Sequence, residues 1–236
     1  TSLLNVLQCA REFDIDNFVF SSSCSVYGNA DVLPVTELTP MKEAESPYAR
    51  TKQMGEDICA DFVKANPGLK AILLRYFNPV GAHPTSLIGE LNEAPENLVP
   101  VITQTAIGKR NSMTVFGHDY DTRDGSCIRD YIHVMDIANA HTKAITKSIG
   151  NELASDCELF NLGTGDGVSV LELIKTFEKV SNVKLNYKLG ERRAGDVISV
   201  YANNEKAKKD LGWLPEYDIE RMMETAWKWE LELAKT

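Results

Sequence analysis

The fold class is best indicated by the stretch Phe18-Val19-Phe20-Ser21-Ser22-Ser23-Cys24-Ser25-Val26-Tyr27-Gly28. Its first three residues form a short, continuous apolar run, which is typical of a strand buried on both faces. Residues 3–10, which precede it, carry apolar side chains at helical spacing. A helix that leads into a buried strand is the repeating unit of a parallel sheet, so the sequence predicts an α/β fold.

A second helix–strand unit follows. The sequence predicts a helix over about 47–63 with Pro47 in its first turn, a turn at Asn66-Pro67-Gly68, and a strand over 70–76. Parallel strands joined by crossover helices predict a doubly wound sheet. Such a sheet usually has more strands, and the chain begins without Met. We therefore expect the first strands of the domain to be absent from this sequence.

The composition of the chain changes after residue 76, where a segment containing Pro and Gly begins. Further elements are predicted beyond it: helices over 100–109, 136–147, 169–181, 203–211 and from 219 onward, and strands over 113–116, 158–162 and 184–187. We expect a first domain over residues 1–79. A second α/β domain, smaller than the first would be with its missing strands, is expected mainly over 80–236, leaving open a return to the first domain near 129–150.

Charge and hydropathy exclude several classes of partner. The net charge is −9, and no basic run interleaved with aromatic residues occurs, which argues against nucleic acid and anionic membranes. No apolar stretch approaches the roughly 20 residues that a membrane-spanning helix needs. Five cysteines, odd in number and without a C-x-x-C pair, are typical of reduced thiols and predict a cytoplasmic protein. The four histidines lack metal-ligand spacing, so no metal site is predicted.

Tyr48 and Lys52 lie four residues apart on the second predicted helix and therefore on one face of it. A lysine cation beside a phenol favours the phenolate and lowers the tyrosine pKa, as a general base requires. This spacing is common in helices and on its own indicates little. The serines at residues 21–23 strengthen it, because sites in open α/β sheets lie at the C-terminal ends of strands.

A serine at a strand end followed by a Tyr-x-x-x-Lys helix resembles the short-chain dehydrogenase/reductase superfamily. Within it, the chain resembles the UDP-galactose 4-epimerases over nearly its whole length. The stretches that carry this resemblance are Leu74-Arg75-Tyr76-Phe77-Asn78-Pro79-Val80-Gly81-Ala82-His83-Pro84, Asn97-Leu98, Val115-Phe116-Gly117, Asp124-Gly125, Arg129-Asp130-Tyr131-Ile132-His133-Val134, Asn161-Leu162-Gly163, Arg192-Arg193-x-Gly195-Asp196 and Leu211-Gly212-Trp213.

The resemblance implies a Rossmann-like cofactor domain and NAD-dependent epimerisation of UDP-galactose and UDP-glucose at C4 through a 4-keto sugar. It implies Ser23, Tyr48 and Lys52 as the catalytic residues. Tyr48 and Lys52 would also contact NAD, with Lys52 on the nicotinamide ribose and Phe77 lining the cofactor. The implied UDP-sugar contacts are Ser23, Asn78, Asn97, Phe116, Arg129, Arg193 and Asp196.

The resemblance also implies a homodimer in which the 47–63 helix meets its symmetry mate. It further implies that Val200 borders the sugar pocket, where a tyrosine in some bacterial members is associated with exclusion of N-acetylated sugars. The smaller valine would admit a 2-acetamido group. A buried strand residue is the alternative interpretation of this valine.

Gly163-Thr164-Gly165-Asp166-Gly167 follows a predicted strand but lacks the G-x-G-x-x-G spacing, so we interpret it as a structural turn. The glycine-rich loop of the cofactor is therefore missing, and we expect this chain by itself to be inactive. Two alternatives stay open. One is a nucleotide-sugar dehydratase or decarboxylase, although Cys24-Ser25 replaces the Asp-Glu pair typical of the dehydratases. The other is a non-catalytic nucleotide-sugar-binding module or fragment.

Overall fold

The computed structural model describes residues 2–193 and 195–235. Its helices are α1 (Ser2–Glu12), α2 (Pro47–Ala65), α3 (Leu98–Ala106), α4 (Val134–Ile149), α5 (Val170–Ser181), α6 (Glu205–Asp210) and α7 (Ile219–Leu233), with a 3₁₀ turn at Cys24–Tyr27. Its strands are β1 (Asn17–Ser23), β2 (Lys70–Tyr76), β3 (Asn78–Val80), β4 (Met113–Phe116), β5 (Ile128–His133), β6 (Cys157–Leu162), β7 (Gly167–Ser169), β8 (Tyr187–Gly190) and β9 (Ser199–Val200). The predicted α/β fold class is confirmed.

The first sheet is parallel and has the order β1-β2-β6. Side chains of β2 alternate between its two faces, as a strand geometry requires. Ala71 and Leu73 pack with residues of α1 and α2, whereas Ile72 and Leu74 pack on the opposite face with α4 and α6. Helices therefore cover both faces of the sheet, which is the doubly wound arrangement that the sequence predicts.

The second sheet is mixed and is built around β5. Strands β3 and β9 pair with β5 in parallel, while β7 pairs with it in antiparallel orientation. Strands β4 and β8 form a separate parallel pair. A third core cluster fills the space between these strands and helices α3, α5 and α7. In the part of the chain that is described, no helix is both long and apolar enough to span a membrane.

One strand lies elsewhere than predicted. The sequence predicts a strand over 184–187, whereas β8 begins at Tyr187, where it first pairs with Met113 of β4. The residues before it are held by α5 instead, because the Leu185 amide donates to the Glu178 carboxylate at 2.9 Å. Leu185, which lies within the predicted strand, thus binds the last turn of α5 through its main-chain amide and precedes the strand.

Helix α2 is fixed to the first sheet by a buried ion pair. Arg75 of β2 donates to both carboxylate oxygens of Glu56, at 2.8 and 2.5 Å, and the Ser22 hydroxyl of β1 donates to the same carboxylate. The Arg75 guanidinium also lies over the ring of Tyr27, 4.6 Å from its centroid. These contacts set the position of α2 relative to the ends of β1 and β2.

We expect Glu56→Gln to destabilise the protein by about 3–5 kcal/mol, because it leaves the buried Arg75 cation without a counter-charge. Urea unfolding measures this loss. Asp57→Asn, at an exposed position on the same helix, is the matched control and should change the free energy of unfolding little. Equal stability of the two variants would contradict the assigned role of the buried pair.

Candidate active site

Ser23 ends β1 and caps the 3₁₀ turn that follows it. Its hydroxyl oxygen accepts a hydrogen bond from the Ser25 amide at 3.2 Å, so the hydroxyl hydrogen remains able to donate. In the parallel register, Ser23 lies opposite Tyr76, the last residue of β2. The hydroxyl therefore stands at the C-terminal edge of the sheet, where sites in this fold class lie.

Tyr48 and Lys52 lie on the first turns of α2. Ser46 caps this helix by accepting from the Ala49 amide at 3.1 Å, and Pro47 occupies its first position. The Lys52 ammonium lies 5.4 Å from the centroid of the Tyr48 ring. Because 57% of the Tyr48 surface is exposed, its hydroxyl is open to a ligand.

Lys52 connects α2 to the serine stretch. Its ammonium donates to the main-chain carbonyl of Ser21 at 2.7 Å, and partial burial lowers its pKa. A lysine carries three N–H donors, so two remain after this bond. These donors and the exposed Tyr48 hydroxyl fit the diol of a ribose.

A second group of the predicted residues adjoins the 3₁₀ turn after Ser23. Phe77 and Val200 are 2% and 5% exposed and pack with Val26 and Tyr27 of that turn. In the β5–β9 register Val200 lies opposite Arg129. The Arg129 guanidinium lies 3.9 Å from the carboxylate of Asp196, and both side chains keep part of their surface exposed. The structure thus brings four predicted residues from distant parts of the chain to one end of the first sheet.

The remaining predicted residues lie on separate elements. Asn78 begins β3 opposite Tyr131, and Phe116 ends β4 with 48% of its surface exposed. Asn97 precedes α3 and lines a cavity of about 480 Å³. Arg193 is exposed in the segment between β8 and β9.

The glycine-rich segment 163–167 wraps around a buried carboxylate that the sequence interpretation did not single out. Asp130 accepts hydrogen bonds from the amides of Thr164, Gly165 and Ala202 at 2.8, 3.0 and 3.0 Å, and from the Thr164 hydroxyl at 2.6 Å. A Cβ at Gly163 would lie 2.3 Å from the same carboxylate. The segment is a structural turn, as its spacing indicates.

The two residues after Ser23 lack a functional acid or base. Burial raises the pKa of the Cys24 thiol to about 12. The Ser25 hydroxyl is buried, with no hydrogen-bond partner among the described residues. Within residues 2–193 and 195–235, no cluster of three or more His, Cys, Asp or Glu has a geometry suited to a metal ion.

Comparison with known proteins finds similarity over nearly the whole chain. A family model described as GDP-mannose 4,6 dehydratase matches residues 1–226. A UDP-glucose 4-epimerase of Haemophilus influenzae is 46% identical over 228 residues, covering 96% of this chain and 67% of its own length. The chain therefore spans about two thirds of the length of this relative.

Two solved structures share the fold closely. A UDP-glucose 4-epimerase of Stenotrophomonas maltophila, with bound NAD and formylated UDP-arabinopyranose, matches with a TM-score of 0.94 and 40% identity. One from Bifidobacterium longum, in complex with NAD⁺ and UDP, matches with a TM-score of 0.91 and 40% identity. Each comparison covers 98% of this chain and 68% of the other.

Proposed function

The chain belongs to the UDP-glucose 4-epimerase family of the extended short-chain dehydrogenase/reductase superfamily, and from this membership we propose that it serves the NAD-dependent interconversion of UDP-galactose and UDP-glucose. The observation that carries the proposal is the meeting of Tyr48, Lys52 and the Ser23 turn at one sheet edge, beside Arg129 and Asp196. The predictions of activity concern the full-length protein, by which we mean a chain of the relatives' length that contains these 236 residues.

Tyr48 acts as the base in this proposal. Its phenolate takes the proton of the sugar 4-hydroxyl and returns it to the 4-keto sugar when the opposite face is reduced. Lys52 stabilises the phenolate by its charge, and the Ser23 hydroxyl donates to the sugar oxygen. NAD, when bound, supplies the acceptor and then the donor of the hydride at C4. Lys52 would hold its nicotinamide ribose, and Phe77 would line the cofactor.

The nucleotide end of the substrate is assigned to the arginines. Guanidinium groups suit a diphosphate because they donate paired hydrogen bonds, which favours Arg129 and Arg193 for this role. The Asp196 carboxylate near Arg129 supports a fixed orientation of that guanidinium. Uracil and sugar hydroxyls are assigned to the amides of Asn78 and Asn97, and sugar hydroxyls also to the carboxylate of Asp196. Phe116 is a further predicted contact of the UDP-sugar. The sugar must turn over in the site, so binding energy is expected mainly at the nucleotide.

Residues 1–79 would form part of the NAD-binding domain and residues 80–236 mainly the substrate domain. Strand β6, which comes later in the chain, pairs with β2 and therefore also belongs to the first domain. None of the 236 residues forms a G-x-G-x-x-G segment, so we propose that these residues alone bind NAD weakly.

Dehydration of the sugar is disfavoured by the residues after Ser23. Elimination of water needs an acid and a base beside the sugar. A thiol with a pKa of about 12 and a serine hydroxyl supply neither at neutral pH. The site therefore favours epimerisation, in which the single base Tyr48 both removes and returns a proton.

We expect Tyr48→Phe in the full-length protein to lower kcat at least about 10²-fold, within the usual contribution of a general base, with little change in UDP-sugar affinity. Steady-state assays with UDP-galactose and calorimetry with UDP measure these two quantities. Tyr187→Phe, in the β4–β8 pair, controls for loss of a phenol. Near-normal kcat in Tyr48→Phe would show that another group is the base.

The side chain of Val200 bears on which UDP-sugars the site accepts. We propose that it borders the sugar pocket and leaves room for a 2-acetamido group. Val200 belongs to the same buried cluster as Phe77, the proposed cofactor contact, which supports this position. Its small exposed fraction, 5%, equally suits the alternative of a core residue, so a substrate comparison is needed.

We expect the full-length protein to epimerise UDP-N-acetylglucosamine as well as UDP-glucose, and Val200→Tyr to suppress only the first activity because the ring fills the acetamido space. Parallel kcat/KM measurements on both sugars test this expectation, with UDP-glucose as the internal control. Equal losses on both sugars would assign Val200 to the core.

We also propose a cytoplasmic homodimer. The five cysteines are all free, as expected of a reducing compartment. On α2, Cys59 is buried and Ile58 and Phe62 pack against the sheet, whereas Met54 is 47% exposed and available to a symmetry mate.

Light scattering of the full-length protein should give twice the monomer mass at micromolar concentration, and Met54→Lys should lower the measured mass. A monomeric wild type would refute the dimer.

A further inference from the structure

Three side chains outside the proposed catalytic set form a continuous hydrogen-bonded chain on the face of the first sheet that α4 covers. The Ser21 hydroxyl lies 2.8 Å from the Tyr76 hydroxyl, which lies 2.7 Å from Nε2 of His141 on α4. Nδ1 of His141 lies 2.9 Å from the main-chain carbonyl of Ile137. The Tyr76 and His141 rings are also in contact, with centroids 5.6 Å apart.

The Ile137 carbonyl at the end of this chain determines the direction of each hydrogen bond. A carbonyl oxygen only accepts, so Nδ1 of His141 carries a proton and donates to Ile137. In the neutral ring Nε2 is then an acceptor, and the Tyr76 hydroxyl must donate to it. The Tyr76 oxygen is left to accept from the Ser21 hydroxyl. The Ile137 carbonyl thus gives the hydrogen bonds a single direction, with Ser21 donating to Tyr76, Tyr76 to His141 and His141 to Ile137.

This chain ends on the residue that holds Lys52. Ser21 uses its side chain to bind Tyr76 and its main-chain carbonyl to bind the Lys52 ammonium at 2.7 Å. Tyr76 lies close enough to Tyr48 for the Tyr48 charge to act on its hydroxyl, although burial is the main cause of the raised Tyr76 pKa. Restraining Ser21 therefore restrains the cation that stabilises the Tyr48 phenolate.

We propose that His141 and Tyr76 are positioning residues of the epimerisation, which fix Ser21 and through its carbonyl hold Lys52 beside Tyr48. The inference rests on the proposed function. It adds to it a support from the opposite face of the sheet, because α4 packs on the side away from α2. Neither residue touches the reacting atoms in this assignment.

Tyr76→Phe in the full-length protein removes one hydroxyl and keeps the ring. We expect kcat for UDP-galactose to fall about three- to tenfold, the effect of one lost hydrogen bond, with KM within about twofold of the wild type. The acidic limb of the pH–kcat profile, where the Tyr48 base becomes protonated, should move to higher pH, since the phenolate loses a fixed neighbouring cation. Tyr187→Phe is the matched control and should leave both unchanged.

Two substitutions of His141 separate hydrogen bonding from packing. His141→Phe keeps the aromatic volume without an acceptor, whereas His141→Gln places an amide oxygen within reach of the Tyr76 hydroxyl. We expect His141→Phe to behave like Tyr76→Phe, His141→Gln to stay within about twofold of the wild type, and the Tyr76→Phe/His141→Phe double variant to lose no more than either single variant. Additive losses, or equal activity of the Phe and Gln variants, would overturn the proposal.

A spectroscopic test is independent of turnover. ¹⁵N NMR of His141 should identify the tautomer with a proton on Nδ1 and none on Nε2, and the Nε2 signal should shift in Tyr76→Phe. A proton on Nε2 of the neutral ring would overturn the chain even in an active enzyme. A wild type that shows the expected tautomer but no epimerisation would refute the proposed function, and with it the role of these residues in that reaction.

Discussion

The buried carboxylate of Asp130 connects the first sheet to the second. It lies in β5 of the second sheet, yet its donors come from the turn after β6 of the first sheet and from the segment after β9. Burial disfavours its charge and raises its pKa, and four hydrogen bonds to its oxygen atoms offset that cost. Because the bonds converge on two oxygen atoms, they fix the two sheets relative to each other and bring Arg129 to the turn after Ser23.

A second buried carboxylate, Glu56, performs the same task for α2 with different chemistry. Asp130 is satisfied mainly by main-chain amides, which hold backbone segments, whereas Glu56 is satisfied by the Arg75 cation and the Ser22 hydroxyl, which hold a helix against two strands. The proposed site lies between these two anchors. The backbone that carries its exposed side chains, such as Tyr48, is therefore held in place by buried contacts.

The sequence predicts the first sheet and α2 well because their signals are local. The apolar run at 18–20, the proline at position 47 and the turn at 66–68 each indicate the local conformation of their own segment. Together they place Ser23, Tyr48 and Lys52 at one edge. Strand β5 escapes prediction because Arg129 and Asp130 interrupt its apolar pattern. Its partner β9 lies about 70 residues later, and no local pattern reports such a pairing.

Helix α4 explains how residues so distant in sequence act on one site. On one side its Asp136 accepts from the amides of Glu216 and Tyr217, at 2.9 and 3.3 Å, and its main-chain carbonyl accepts from the buried Trp213 indole at 2.9 Å. Little more than a turn later, His141 meets Tyr76 at the end of β2. A helix of 16 residues is stiff over this distance, so the segment that leads into α7 and the strand that carries Tyr76 share one rigid support. The position of the lysine beside Tyr48 is thereby a property of the folded core and not of α2 alone.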